Sequence, residues 1–377
     1  QGIETHVHHE VTAIDLDNRA IIVRNLDNDS EFAMYWDKLV LTTGGVAVRP
    51  PIPGLELEGV FTLRTPEDAI AIKEWLKRER PRKAVVVGAG YVGLEMAEAL
   101  ATNGLHVTVM EMLPQVLPNM DVDMAELVAE ELHRQGIDLK LEHRVEAFEG
   151  NGGRVKGVLS TGEDVLADIV LFNIGVRPAV KLAQDARIAL GPTGAVAVDD
   201  HQRTNVPGIW AAGDVAEAHH LVTGEPAYIP LGTTANKQGR VAGENAAGGD
   251  AAFHGIVGTA VVKVFDLEVA RTGLSEQEAI RKRFDVTSVR ITASSRAHYY
   301  PGHKPLHVKL IFEKESQHLL GGQIIGQEGT SKRIDIVATA LHAGWTVEEL
   351  RRLDLSYAPP FAPVWDPVLV AANVAAK

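Results

Sequence analysis

The pattern of hydrophobic and polar positions changes its period along the chain, and each period predicts a different kind of element. Continuous apolar runs followed by glycine, at Ala84–Val87 and at Ile169–Asn173, are typical of buried parallel strands. Apolar residues at helical spacing predict helices at Pro66–Arg80 and at Asp123–Gln135. Beyond Gly255 the residues alternate as in antiparallel strands, and helical patterns follow. The chain is therefore predicted to be α/β, with a separate α+β domain at its carboxyl end.

The most informative stretch begins at Lys83 and reads KAVVVGAGYVGLEMAEAL. Gly88, Gly90 and Gly93 form a G-x-G-x-x-G pattern between a predicted strand and a predicted helix. In that context the first glycine permits a tight turn, the second lets a pyrophosphate approach the backbone, and the third lets helix and strand pack closely. The next predicted strand, His106–Met110, is followed by Glu111, about 20 residues beyond the glycines, where a carboxylate would accept hydrogen bonds from a ribose. We predict a dinucleotide site here.

Glycine also follows two strands that flank this motif, at Gly44 and at Gly175. This placement predicts that the chain passes twice between domains. The first of these strands ends in Thr43 and Gly44, which would let backbone approach a flat ligand, although a simple strand-to-loop turn explains it equally well. A later strand ends in Gly213 and Asp214. An acid at such a strand end binds a hydroxyl-rich ligand or a metal, or it caps the helix that follows.

Composition excludes several functional classes. The 377 residues carry a net charge of −13, which would repel a nucleic-acid backbone, so no nucleic-acid partner is expected. They include no cysteine, which excludes disulfides and a thiol nucleophile within this sequence. Because no apolar run approaches the roughly 18 residues of a membrane helix and no signal sequence is visible, we expect a cytoplasmic protein without a membrane partner. His6 and His8 are predicted to share one face of a solvated strand with His9 on the other, and no metal site is predicted.

Together these motifs resemble the flavoprotein pyridine nucleotide-disulfide oxidoreductases, most closely the branch of coenzyme A-disulfide reductases and NADH oxidases and peroxidases. LVLTTGG is similar to that family's first A-T-G strand, GAGYVGLE to its NAD fingerprint and IWAAGDV to its G-D flavin motif. PLGTTANKQGR, HYYPGHKPLHVKL and LDLSYAPPF resemble its flavin-ring and dimer-interface segments. The resemblance covers the whole chain. It implies two Rossmann-like domains, with the NAD domain (59–178) inserted in the FAD domain (1–58 and 179–250), and an α+β domain (251–377) that forms a homodimer.

The same resemblance implies roles for individual residues. The NAD site would contain Gly88, Gly90, Tyr91, Val92, Gly93, Glu95, Glu111 and Gly175, with Tyr91 and Glu95 beside the nicotinamide. The FAD site would contain Thr43, Gly44, Gly213, Asp214, Leu231, Gly232, Thr233, Thr234 and Ala235, with a helix that begins near Thr234 and points its positive end at the flavin. The substrate would contact Tyr299 and Tyr357, which are also the catalytic candidates, with Tyr300 as the alternative to Tyr299 and with Asn236 and Trp365 as weaker candidates.

The implied activity is FAD-dependent transfer of hydride from NADH to a disulfide, foremost coenzyme A disulfide or a related persulfide or polysulfide. NADH oxidase or peroxidase activity is the nearest alternative, and a non-catalytic dinucleotide-binding module is the alternative from another class. NADH is expected over NADPH, because Glu111 would repel a 2′-phosphate and residues 112–115 include no arginine to receive one. The family's first G-x-G-x-x-G and its redox cysteine are not in this sequence. We therefore expect a further segment before Gln1, of roughly 30 residues or more, that carries them.

Overall fold

The computed structural model describes residues 2–376 and divides the chain into two compact units. The first unit comprises Gln1–Val46 and Arg177–Ile256, and the second comprises Ala47–Val176 and Val257–Lys377. The first unit is thus interrupted in sequence by residues 47–176, which include the glycine-rich motif. The predicted fold class is confirmed.

The strands of the described residues are short in the first unit and longest in the C-terminal sheet of the second. In chain order they are β1 (His9–Asp15), β2 (Ala20–Asn25), β3 (Glu31–Tyr35), β4 (Leu39–Leu41), β5 (Gly45–Ala47), β6 (Val60–Phe61), β7 (Lys83–Val87), β8 (His106–Met110), β9 (Asp138–Lys140), β10 (Val145–Asn151), β11 (Arg154–Ser160), β12 (Val165–Leu166), β13 (Ile169–Phe172), β14 (Val176–Pro178), β15 (Ile209–Ala211), β16 (Ala218–His220), β17 (Glu225–Ala227), β18 (Ala260–Val264), β19 (Leu267–Gly273), β20 (Val286–Ser294), β21 (Pro305–Glu313) and β22 (Leu319–Gly326).

The helices of the described residues differ in whether a side chain caps their first turn. In chain order they are α1 (Pro66–Glu79), α2 (Tyr91–Thr102), α3 (Val122–Arg134), α4 (Lys181–Asp185), α5 (Gly232–Ala246), α6 (Glu276–Arg281), α7 (Thr330–His342), α8 (Val347–Arg351) and α9 (Pro367–Ala375). Within residues 2–376, no helix has both the length and the apolar character needed to cross a bilayer.

A five-stranded parallel sheet of order β6-β13-β7-β8-β9 contains the predicted dinucleotide motif of the second unit. Its central strands are buried on both faces, which explains their continuous apolar runs. In this sheet Val87 pairs with both Met110 and Phe172, so the carboxyl ends of three strands lie at one edge. Helix α2 packs on the sheet through its buried Leu94, Ala97 and Leu100. The turn between β7 and α2 is thereby fixed at that edge.

The C-terminal part of the second unit is a five-stranded antiparallel sheet of order β18-β19-β22-β21-β20. Helix α7 packs on β19 and β22. A Cβ added at Gly322 would lie 2.9 Å from a methyl carbon of Val337, so the glycine lets α7 approach the sheet closely. Strand β22 is buried along its whole length, which matches its apolar and glycine-rich sequence LLGGQIIG.

The first unit contains a three-stranded antiparallel sheet, β1-β2-β3, and a parallel pair, β4 with β15. Leu39 pairs with Ile209 and Leu41 with Ala211, so these strands end side by side. Leu41, Ile209 and Ala211 belong to the buried core of this unit. Helix α5 packs against both strands.

Several sequence predictions need correction. Helix α5 begins at Gly232, two residues before the predicted start near Thr234, which is within the usual uncertainty of a helix end. Strand β1 begins at His9, and His8 has a φ of +55°, so the alternation predicted for His6 and His8 does not apply. Strand β19 was not predicted because the charged Glu268 and Arg271 obscure its pattern. Helix α9 was missed because its apolar residues have no helical period.

Candidate cofactor and substrate sites

The three glycines after β7 meet three different geometric demands. Gly88 has a φ of +100°, and a Cβ there would lie 2.4 Å from the carbonyl oxygen of Asn173. A Cβ at Gly93 would lie 2.0 Å from the carbonyl oxygen of Gly88, so α2 sits at a distance that only glycine permits. A Cβ at Gly90 would meet no atom within 4 Å. A tight turn, close packing and open space are the three features that a pyrophosphate site requires.

The first turn of α2 is open to an anion. Gly90 occupies the N-cap position and supplies no side-chain acceptor, and the first turn contains no acidic residue. The first N–H groups of the helix therefore keep their hydrogen-bonding capacity, and the positive end of the helix dipole faces the open space at Gly90. This arrangement suits a phosphate.

Glu111 is buried, with 7% of its surface exposed, directly after β8. Its Oε2 accepts a hydrogen bond from Ala89 N at 2.9 Å, and its Oε1 accepts one from Leu113 N at 3.0 Å. The carboxylate thus fixes the glycine-rich turn, a role that the sequence did not reveal. Each carboxylate oxygen can accept a further hydrogen bond, so the predicted contact with a ribose remains chemically possible.

The other NAD-site candidates on α2 lie on its first two turns. Asn119 Nδ2 donates to the hydroxyl of Tyr91 at 2.8 Å, and burial raises the pKa of Tyr91 above its ordinary value. Glu95 lies on the exposed side of the helix, where desolvation raises its pKa and the nearby Glu98 adds to the rise. Val92 is 43% exposed. The pKa of Tyr91 and that of Glu95 are thus both shifted in the direction that favours the neutral form.

Two residues at the end of β13 lie at the same sheet edge. Gly175 has a φ of +118°, and its carbonyl accepts a hydrogen bond from Val48 N at 3.0 Å. Asn173, which the sequence analysis did not select as a site residue, accepts from Leu63 N at 3.0 Å through Oδ1. Its Nδ2 is buried and has no hydrogen-bond partner among residues 2–376. The signal that could have selected Asn173 is its position after a parallel strand next to that of Gly88.

In the first unit, the predicted flavin residues follow two adjacent parallel strands. Thr43 and Gly44 come after β4, and Gly213 and Asp214 come after β15. The hydroxyl of Thr43 donates to Ala179 O at 2.8 Å. A Cβ at Gly45, the residue after Gly44, would lie 3.5 Å from the Cβ of Asp214. The two sequence motifs are therefore adjacent in space.

A small cavity lies beside these residues in the first unit. Helix α5 begins at its wall, with Leu231 in the N-cap position, no side-chain cap and no acidic residue in its first turn. An uncapped helix N-terminus in the wall of a cavity suits the electron-rich edge of a flavin ring. The described residues therefore fit FAD. The cavity is lined by Gly213, Asp214, Ala216, Ala218, Ala227, Tyr228, Ile229, Pro230, Leu231 and Thr234.

The remaining flavin-site candidates also lie at the start of α5. A Cβ at Gly213 would lie 3.5 Å from the Cβ of Ala235, which is an ordinary contact, so the glycine is required for its φ of +78° rather than for space. Gly232 and Thr233 are exposed in the first turn. Asn236, a substrate candidate, is exposed one residue after Ala235.

In the second unit, the two tyrosines predicted to contact substrate touch each other. The hydroxyl oxygens of Tyr299 and Tyr357 are 3.0 Å apart, although 58 residues separate them in sequence. Their side chains are 65% and 44% exposed. The hydrogen bond with Tyr299 raises the pKa of Tyr357 above its ordinary value, and partial desolvation adds to this effect. Tyr300, the alternative to Tyr299, instead packs against Arg296, whose guanidinium carbon is 5.9 Å from the centroid of the Tyr300 ring.

Trp365, the weaker substrate candidate of this unit, is 56% exposed on the segment before α9. Phe361 and Val364 on the same segment are 79% and 67% exposed. In the described part of the chain, no group of three or more metal-ligating side chains is found.

Comparison with protein families decides the classification. The profile of the pyridine nucleotide-disulphide oxidoreductases matches residues 1–239, and that of their dimerisation domain matches residues 259–367. The chain belongs to this family. It is accordingly an FAD-dependent oxidoreductase that uses a pyridine nucleotide, as the sequence analysis predicted.

Two characterised relatives are similar over nearly the whole chain. The NAD(P)H sulfur oxidoreductase (CoA-dependent) of Pyrococcus furiosus is 40% identical over 375 residues, which cover 99% of this chain and 83% of the relative. The coenzyme A disulfide reductase of Staphylococcus aureus is 34% identical over 361 residues, which cover 96% of this chain and 80% of the relative.

Two solved structures share the fold. A NAD-dependent persulfide reductase from A. fulgidus superposes with a TM-score of 0.95 at 42% identity, and reduced Bacillus anthracis CoADR-RHD with a TM-score of 0.94 at 38% identity. Each superposition covers 98% of this chain. The chain spans 68% and 66% of the respective structures, or about two thirds of their length.

Two further positioning residues of this oxidoreductase were missed because their contacts are distant in sequence. Gln238 in α5 is 1% exposed, and its Oε1 accepts from Gly213 N at 2.9 Å while its Nε2 donates to Glu217 O at 2.8 Å. It therefore fixes the loop that carries Asp214. No periodicity in the sequence indicates such a contact.

The second is Arg333 in α7, which is 6% exposed. Its Nε donates to Asp366 Oδ2 at 2.8 Å, and its Nη2 donates to Ser295 O at 2.9 Å. The same Nη2 also donates to Phe361 O at 3.5 Å. Arg333 thus holds together the segment that leads to Tyr299 and the segment that follows Tyr357.

Proposed function

We propose that this oxidoreductase uses NADH to reduce coenzyme A disulfide or a closely related coenzyme A-dependent persulfide or polysulfide. The relatives named above act in coenzyme A-dependent sulfur chemistry, which supports this class of substrate. The observation that carries the proposal within this chain is the exposed pair of hydroxyls on Tyr299 and Tyr357, 3.0 Å apart.

The tyrosine pair is proposed to act as the proton donor. Reduction of a disulfide releases a thiolate, which leaves more readily if it receives a hydrogen bond or a proton. The hydrogen bond with Tyr299 holds the pKa of Tyr357 above its ordinary value, so its hydroxyl stays protonated at neutral pH. No residue of this sequence is assigned to the thiol–disulfide exchange itself, because the 377 residues include no cysteine.

NADH is proposed to bind at the open first turn of α2. Its pyrophosphate would take the space at Gly90, and its adenosine ribose would lie near Glu111. The carboxylate of Glu111 would repel the 2′-phosphate of NADPH, which makes NADH the preferred nucleotide. Tyr91 and Glu95 would lie beside the nicotinamide.

FAD is proposed to be held by residues of the first unit. When bound, it supplies two-electron redox chemistry that links the nicotinamide to the disulfide. Asp214 would bind the ribityl hydroxyls, and Thr43 and Gly44 would approach the flat ring. The uncapped start of α5 would face the pyrimidine edge, where its dipole favours negative charge. Gln238 would keep the Gly213–Asp214 loop in place.

The C-terminal part of the second unit is proposed to form a homodimer. It matches the family's dimerisation domain, and Phe361, Val364 and Trp365 expose apolar surface along one segment. Sedimentation equilibrium tests this directly. A mass of two chains is expected, and a monomer at micromolar concentration would contradict the proposal.

The activity is tested by NADH consumption by the holoenzyme with different acceptors under anaerobic conditions. Coenzyme A disulfide, or polysulfide with coenzyme A, should support a rate about tenfold or more above that with oxygen or peroxide alone. Tyr357→Phe should lower kcat for the disulfide about 100-fold and leave flavin reduction by NADH unchanged. Equal rates with oxygen alone would instead indicate an NADH oxidase, and no reduction of flavin by NADH would indicate a non-catalytic binding module.

A further inference from the structure

Residues 113–121, between β8 and α3, form a loop that joins two parts of the second unit. On one side, Leu117 N donates to Ala89 O in the glycine-rich turn at 2.9 Å. On the other side, Asp121 Oδ2 accepts from Gln323 Nε2 in the antiparallel sheet at 2.8 Å. The loop therefore contacts both the turn that would bind NADH and the C-terminal sheet.

Arg271 of β19 connects these two sides through its guanidinium. The side chain of Arg271 is 9% exposed. Its Nη1 donates to the backbone carbonyl of Asn119, and its Nη2 donates to Gly273 O at 2.7 Å and to Glu278 Oε2 at 2.5 Å. The side chain of the same Asn119 donates to the Tyr91 hydroxyl at 2.8 Å. A continuous path of contacts thus runs from the antiparallel sheet to the first turn of α2.

We propose that Arg271 is a positioning residue for the nicotinamide end of NADH, acting through Asn119 on Tyr91. This inference rests on the proposed function, in which Tyr91 lies beside the nicotinamide. The planar guanidinium is fixed by Glu278 and Gly273, so the backbone of Asn119 has little freedom to move. The Asn119 amide then holds the Tyr91 ring in one orientation, and small errors in such an orientation slow hydride transfer strongly.

The charge of Arg271 also acts on its neighbours. Burial raises the pKa of Glu278, but the charge of Arg271 and hydrogen bonds from Arg271 and Ser275 lower it below its ordinary value overall. Glu278 is therefore ionised at neutral pH and keeps the guanidinium in place. This ion pair explains why a charged side chain is retained in a largely buried position.

Arg290 provides a matched control. It lies in β20 of the same sheet, and its Nη1 is 3.6 Å from Asp123 Oδ2 in α3. It thus links the same two parts of the unit as Arg271 does, but its partner is not Asn119. Arg290→Lys should leave hydride transfer at the wild-type rate.

The test is a double-mutant cycle on the holoenzyme, with flavin reduction by NADH followed in a stopped-flow instrument. Arg271→Lys and Tyr91→Phe should each slow the limiting rate about three- to tenfold, which corresponds to one hydrogen bond. Neither should change the Kd for NADH more than about twofold, since the pyrophosphate site is intact. The double variant should be no slower than the slower single variant.

A second readout does not depend on turnover. In protein labelled with 3-fluorotyrosine, the fluorine spectrum of the six tyrosines should show a shifted or broadened Tyr91 resonance in Arg271→Lys and an unchanged one in Arg290→Lys. If the rate effects of Arg271→Lys and Tyr91→Phe multiply in the double variant, or if the Tyr91 resonance is unchanged in Arg271→Lys, the positioning role of Arg271 is overturned. Neither result would contradict the proposed function. If NADH fails to reduce the wild-type flavin, the proposed function fails and this inference falls with it.

Discussion

Helices α1 and α2 belong to the same unit and are separated by one strand, but their first turns are completed in opposite ways. In α1 the Thr65 hydroxyl accepts from Asp68 N, and the Asp68 carboxylate accepts from Thr65 N at 2.9 Å. In α2 the N-cap is Gly90, and no side chain of the cap accepts a hydrogen bond. The first helix carries its own anion, whereas the second leaves room for one. The comparison distinguishes α1, whose cap stabilises the fold, from α2, which begins at the predicted nucleotide site.

The same contrast recurs in other helices. Ser275 with Glu278 in α6, and Thr346 with Glu349 in α8, form the same reciprocal cap as Thr65 with Asp68. Helix α5, beside the cavity of the first unit, resembles α2 because it has no side-chain cap. Helix α7 begins at a glycine too, but the Glu268 carboxylate accepts from its first N–H groups at 2.7 and 3.1 Å. A missing cap residue therefore indicates a ligand only where no distant acceptor replaces it.

The largest effect is expected from placing a carboxylate at the N-cap position of α2. Gly90→Asp should weaken NADH binding about 100-fold, because the carboxylate would enter the open space and repel the pyrophosphate. Titration calorimetry with NADH measures the Kd. Gly239→Asp is the control, since a Cβ there also meets nothing within 4 Å but lies inside α5. A Gly90→Asp protein with wild-type affinity would refute the assignment of α2.

The next largest effect is expected in α6, whose first turn is capped by its own side chains. Glu278→Gln should lower the free energy of unfolding by about 2 kcal/mol at pH 7, because it removes the ionic partner of Arg271, and partial exposure of the pair limits the loss. The folded-state pKa of Glu278 lies below its ordinary value of 4.5, so this contribution is present above that pH and is lost as the pH falls below it.

The Tm difference between wild type and Glu278→Gln should therefore be smaller at pH 3, below the ordinary pKa of Glu278, than at pH 7. Thermal unfolding at both values measures it. Glu349→Gln, in the exposed cap of α8, is the control and should change Tm less at pH 7. A Tm gap for Glu278→Gln that stays constant over this pH range would show that the ion pair does not account for it.

A smaller change is expected at the turn before α2. Glu111→Gln should raise the ratio of kcat/KM for NADPH to that for NADH about tenfold, because it removes the negative charge that faces a 2′-phosphate. The amide oxygen that remains can accept from Ala89 N, but the hydrogen bond from Leu113 N is lost, because the amide nitrogen is a donor. Steady-state kinetics with both nucleotides give the ratio, with Glu126→Gln on the exposed face of α3 as the control. An unchanged ratio would place the nucleotide selectivity elsewhere.

The smallest effect is expected from removing the N-cap side chain of α1. Thr65→Ala should cost about 1 kcal/mol of stability, the usual value of an N-cap, and should leave NADH binding unchanged. Thr346→Ala, at the N-cap of α8, should have the same effect on stability and likewise leave NADH binding unchanged. Denaturant unfolding and the NADH Kd are measured on the same samples. A loss of NADH affinity in Thr65→Ala would erase the distinction between the two helices.

The comparison also shows what the sequence could predict. The turn around Gly88 and Gly93 was predictable, because β7, the three glycines and α2 are contiguous and each demand is local. Strand β8 was predicted with its observed bounds, His106–Met110. The capping boxes are equally local signals.

Contacts between distant segments could not be predicted in this way. Gln238 reaches Gly213 across 25 residues, and Arg271 reaches Asn119 across 152. Such pairs follow from the packing of elements, which no short pattern encodes. The contact between Tyr299 and Tyr357 is of the same kind: the family resemblance selected both residues, but only the structure shows that their hydroxyls meet.

The central claim is that the open start of α2 holds NADH for reduction of the flavin. Anaerobic titration of the holoenzyme with NADH, followed by flavin absorbance, tests it most directly. Gly90→Asp should need an NADH concentration about 100-fold higher than wild type needs to reach half of the limiting rate of flavin reduction, and dithionite should reduce both proteins equally. Equal reduction of the two proteins by NADH would contradict the claim.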